Sequence, residues 1–208
     1  MNDFHKPALF AGHEFTAFRG GEDPAEVSFI AHESARALLA RVREAGEPAL
    51  VDRVVAFADE NGIDVLAELW SASSAHSLPG ALWRMYLIRD MIVSNAEHTS
   101  VLYERGVEIS VTPDPLVAGA PIPAGPEEMR ALADRILRGV FEGDFADALH
   151  RSAAFCRVLA HGCTSMADDA ELINPERATA LTTQAFRLSK TAAEFAVCAR
   201  LHRDGSLG

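Results

Sequence analysis

Residues 79–103, PGALWRMYLIRDMIVSNAEHTSVLY, decide the fold. In the first half Leu82, Trp83, Met85, Tyr86, Leu87, Ile88, Met91 and Ile92 put apolar side chains on nearly every side of a helix that turns about 100° per residue. A helix apolar all round must be covered by other elements, so this one is expected at the centre of an all-α protein. Arg84, Arg89 and Asp90 interrupt it well short of the roughly 20 apolar residues that span a bilayer, so protein rather than lipid is expected around it.

Upstream, the run Ser71, Ser73, Ser74, His76 and Ser77 competes for backbone hydrogen bonds and ends a short helix that carries Leu66, Leu69 and Trp70 behind an expected Asp64 cap. Before it, Asn61 and Gly62 stop a helix over 48–60 with Leu50, Val54, Phe57 and Ala58 inward. The first helix starts at an Asp23 cap, with Pro24 at its first position and Glu26 completing a capping box, and Gly46 closes it. Val27, Ile30, Ala31, Ser34, Ala35, Leu38 and Val42 form its core face. Residues 1–22 remain as an N-terminal arm.

Downstream, five prolines between 107 and 126 forbid a helix through that segment, which is expected to lie along the body as an extended crossover. Residues 107–111 are rich in β-branched residues and suggest a minor short β pairing, with 9–18 as partner. Three helices follow, over 126–141, 145–161 and 177–202. The reading is one helical domain over 23–208 with about seven helices, and a subdivision into 23–106 and 126–208 across 107–125. No internal repeat supports a solenoid.

Composition narrows function by exclusion. A hydrophobic share of 49% with 24% charged residues belongs to a globular chain. A formal charge of −11 opposes binding to nucleic acid or an anionic membrane surface. Residues 1–7 lack the apolar core of a signal peptide, and the three cysteines form neither a disulfide framework nor a C-x-x-C pair, so a cytoplasmic protein with reduced thiols is expected. Phosphate-loop, dinucleotide, nucleophile-elbow and zincin motifs are missing, and no cofactor is expected.

Within residues 150–163 the sequence gathers His150, Cys156, His161 and Cys163, a set that resembles metal ligands. Helical angles separate them: Cys156 falls at about 20° from Phe145, whereas His150 and His161 fall at about 140° and 160° and are roughly 16 Å apart along the axis. No metal is expected there; Cys156 reads as core and the two histidines as a solvated face.

The central helix carries the clearest candidate site. Trp83, Tyr86, Asp90, Ser94 and Glu97 lie within about 80° of one another, a polar and aromatic stripe on an apolar helix. Arg84, on the other side, must reach a carboxylate, a set of helix C-terminal carbonyls or an anionic ligand, because an unpaired buried guanidinium is prohibitive. In one reading the stripe is the solvent side and Arg84 ties two helices together. In the other, Trp70, His76, Trp83, Arg84, Tyr86 and Asp90 border a site for a small anionic metabolite, helped by free amides at the helix start. His76 is its acid or base in that reading. The last helix offers a second feature, since Phe186, Val197 and Leu201 recur opposite its main face and suggest contact with another protein or with a second copy. The function expected first is therefore a non-enzymatic helical protein acting through protein contacts, as a homodimer, with metabolite binding as the alternative.

Overall fold

The computed structural model describes residues 24–40, 62–110 and 124–208, and 82% of these are helical. They form a single all-α domain of seven helices. These are α1 (Pro24–Ala40), α2 (Ile63–Ser71), α3 (Leu78–Ser94), α4 (Ala96–Ile109), α5 (Pro126–Leu137), α6 (Phe145–Ala170) and α7 (Pro175–Arg203). The arm 1–22, the helix expected over 48–60, the Gly46 stop and most of the proline-rich crossover lie outside the described residues.

The apolar segment is indeed central: α3 packs against α1, α2, α4, α5 and α7. Leu82 and Met85 are fully buried, with Ile88 and Ile92 close behind. One buried cluster draws residues from all seven helices. The longest interface joins α6 to α7, and α4 lies along the other side of α6. There, Gly106 and Gly162 bring the two backbones together.

Local chemistry sets the boundaries. Ser77 caps α3 by accepting from the Gly80 amide at 3.2 Å, with Pro79 in the first turn. Asp144 caps α6 through the Ala146 and Asp147 amides, and Asn174 caps α7 through Arg177. Four boundary expectations need correcting, the first being α6, which runs past its expected end at 161 to Ala170. The helix over 79–103 breaks at Asn95, whose φ of −138° and ψ of 50° leave the helical region, and α4 restarts from Ala96 in a new direction. The α2 cap is Gly62; Asp64 stands two residues later, inside the first turn, and is used elsewhere. The α5 helix stops at Leu137, because Gly139 turns the chain at a φ of 65° and leaves Val140 exposed.

The expected β pairing at 107–111 is also corrected, since Val107 to Ile109 are the last turn of α4 and no strand occurs among the described residues. β-branched residues lower helix propensity by only tenths of a kcal/mol, less than the packing that Gly106 provides against α6. The Ser110 hydroxyl then donates to the Gly106 carbonyl and finishes the helix.

Candidate functional site

The serine turn and the start of α3 do come together, more tightly than a pocket allows. A Cβ on Gly80 would stand 1.9 Å from the Ser74 carbonyl oxygen, so the turn lies directly on the helix. The amides at this N-terminus are used by the protein itself: Leu78 N–H donates to the Leu207 carbonyl at 3.0 Å, Gly80 to the Ser77 hydroxyl and Ala81 to the Ser77 carbonyl. Pro79 has no amide hydrogen to offer. His76 is exposed on the turn, and its backbone N–H donates to the Ser74 hydroxyl.

Arg84 spans α3 and α7. Its Nε donates to Glu194 Oε2 at 2.5 Å and its Nη1 to the Gly80 carbonyl at 2.9 Å, with both partners of the ion pair largely shielded from solvent. The guanidinium thus finds a carboxylate, the first of the partners its position requires. A small cleft of about 190 Å³ opens beside this pair, floored by Ile88 and Leu188 and edged by Leu87, Met91 and Arg187.

The aromatic stripe ties α3 to α2. Trp83 stacks on Tyr86 with ring centroids 5.6 Å apart, and the Tyr86 hydroxyl donates to Asp64 at 2.7 Å. That hydrogen bond, reinforced by burial and the negative charge of Asp64, pushes the Tyr86 phenol up to about 12. Asp90 is exposed and accepts from Ser94 at 3.4 Å. Trp70 is wholly buried in the core, and its indole N–H donates to Ser34 on α1 at 3.0 Å. The six residues of the anticipated metabolite site therefore separate into a core tryptophan, an interhelical ion pair, a stacked pair held by Asp64, and two exposed polar residues.

Among the described residues no group of three His, Cys, Asp or Glu side chains is arranged to hold a metal ion. Cys156 is buried as its helical angle requires, and burial pushes its thiol up to about 12 and those of Cys163 and Cys198 to about 11. His150 departs from the expected solvated face. The end of α7 covers it, and Arg203 donates to its Nε2 at 3.0 Å and to Asp147 at 2.8 Å. His161 is exposed and shares a 3.2 Å hydrogen bond with Ser110.

Among the described residues the three most exposed large apolar side chains sit on the α6–α7 hairpin, ahead of Phe29 on α1 at 66%. Phe186 is 70% exposed, and the turn between the helices presents Leu172 at 96% and Ile173 at 86%. The turn is firmly built, because the Ile173 and Asn174 amides both donate to the Ala170 carbonyl, at 3.0 and 2.7 Å, and Asn174 caps the next helix. Val197 is half-buried, and Leu201 is half-buried and packed on the core. Sequence reasoning missed Leu172 and Ile173, because two apolar residues in a turn have no periodicity to mark them. Beside them, between the end of α6 and the start of α7, lies an open cleft of about 390 Å³.

In comparisons with known proteins the chain matches no family model, no curated protein and no solved structure. No helix among the described residues is long and apolar enough to cross a membrane.

Proposed function

We propose that this protein works by contact with protein, in the first place with a second copy of itself, through the outer face of the α6–α7 hairpin, and not by catalysis. The observation that carries this reading is the exposure of Leu172, Ile173 and Phe186 on one rigid hairpin whose turn is fixed by backbone hydrogen bonds. Apolar side chains held out on ordered backbone keep their contact geometry before a partner arrives, which lowers the entropy cost of binding. The metabolite reading has less support. The amides at the start of α3 are taken by Ser77 and Leu207, and Arg84 is engaged by Glu194 and Gly80.

Native mass spectrometry of the untagged full chain tests the proposal. The expected spectrum is a dimer without retained small molecules, converted to monomer by Phe186→Asp while circular dichroism stays unchanged. A spectrum of monomer alone, or one carrying a bound metabolite, overturns it.

A further inference from the structure

The outer face of α7 is self-complementary in shape and in charge. Setting Phe186 at zero and turning 100° per residue, Thr179, Thr182, Thr183, Ser189, Lys190, Ala193 and Val197 all fall within about 60° of it, while the core residues Leu188 and Phe195 fall near 200° and 180°. This stripe faces away from the body. It holds one large knob, Phe186, among small side chains that let another helix come close.

The stripe also holds a hole. The 390 Å³ cleft is bounded by Ala167 and Asp168 of α6, by Glu171 of the turn and by Ala178, Thr179 and Thr182 of α7. An apolar cavity of about 150 Å³ is enough to take a benzene ring, so the cleft has room for a phenylalanine side chain. Its centre lies about five residues, or roughly 8 Å, before Phe186 on the same helix.

Charge is divided along the same axis. The cleft end carries Asp168, Glu171 and Glu176, with Arg177 on the opposite side of α7 near 180°, and the far end carries Arg187 and Lys190, the latter 3.9 Å from a Glu194 that Arg84 already engages. A parallel pairing of two such faces sets like charges together, and an antiparallel pairing sets Lys190 against the acidic end.

We propose that two copies pair their α7 helices antiparallel about a two-fold axis at Thr183, each burying Phe186 in the cleft between α6 and α7 of the other. The operator relates position 186 to 180, 190 to 176 and 193 to 173. Phe186 then meets the cleft, Lys190 faces Glu176 of the second copy, and Ile173 covers its Ala193. Every contact occurs twice, as an isologous interface requires. The inference rests on the self-association proposed above and adds its register and symmetry.

The test uses the full chain with exposed residues only, so folding is undisturbed. Glu176→Lys and Lys190→Glu each weaken the dimer by about tenfold or more in sedimentation equilibrium, and combining the two restores it. Under mild oxidation Thr183→Cys gives a disulfide-linked dimer. Ser189→Cys does not, because its two copies stand roughly 18 Å apart along the axis, beyond the reach of a disulfide. A chain that is monomeric at every accessible concentration overturns both this inference and the proposed function. A dimer that the double charge swap fails to restore, or that links through Ser189→Cys and not Thr183→Cys, overturns only this geometry and leaves self-association standing.

Discussion

Gly106 and Gly162 stand against each other where α4 crosses α6. A Cβ on Gly162 would lie 3.2 Å from the Gly106 nitrogen and 1.9 Å from the Leu102 carbonyl oxygen, and one on Gly106 would lie 2.0 Å from the Val158 carbonyl oxygen. Each helix thus fills with a carbonyl the space that a side chain on the other would occupy, and backbone atoms have no rotamer in which to retreat. Gly162→Ala and Gly106→Ala are each expected to destabilise the protein by about 3 kcal/mol, outweighing the gain of up to about 1 kcal/mol in helix propensity. Urea unfolding midpoints measure this. The double variant is expected to lose less than the sum, since one opening of the crossing relieves both clashes.

Removing one member of the Arg84–Glu194 pair costs more than removing both. Glu194→Leu leaves a largely shielded guanidinium with only the Gly80 carbonyl, at an expected cost of about 2 kcal/mol. Arg84→Met in the same chain recovers most of that loss. A double-mutant cycle by chemical denaturation checks the coupling.

Alkaline pH weakens the attachment of α2 to α3. The Tyr86 phenol ionises near 12 in the folded protein, above its ordinary value of 10.0. Because the folded value is raised, the stabilisation by the Asp64 hydrogen bond is complete below pH 10 and is lost as pH rises from there through 12. Ultraviolet titration of tyrosinate is expected to show Tyr86 ionising near 12, and Tyr86→Phe removes its contribution to the fall of stability between those limits. Tyr103, raised chiefly by burial, also ionises above its ordinary range.

None of the three cysteines is poised to react. All are buried, and the Cys198 thiol donates to the Ala75 carbonyl at 3.3 Å. A chromogenic disulfide reagent at mildly alkaline pH is expected to label no thiol in the native protein and all three in urea. Rapid labelling of one thiol without denaturant counts against the packing around α6 and α7.

The centre of the fold was legible because a helix apolar on every side admits few environments, and α3 occupies the expected one. The need of Arg84 for a carboxylate was legible from the cost of burying its charge. Its partner was not, since Glu194 lies 110 residues away and sequence distance carries no address. The Asn95 break was hidden because helical periodicity runs on through it. His150 was placed on its correct side of α6, but whether that side meets water depends on where the end of α7 comes to rest, which no local pattern encodes. The outer face of α7 was partly visible in Phe186 and Val197; the cleft beside it is made by two helices and belongs to neither sequence alone.

The seating of Leu207 at the start of α3 has a consequence for the order in which structure forms. Leu207 is buried, and its carbonyl receives the Leu78 amide, so a contact between positions 78 and 207 completes the first turn of the central helix. The α6–α7 hairpin, by contrast, closes through a turn of four residues, Glu171 to Asn174, and can zip from its own tip. Loop-closure entropy favours early formation of the hairpin and late formation of the 78–207 contact. The hydrogen bond that completes the first turn of the innermost helix is thus expected to form after the hairpin that packs against that helix.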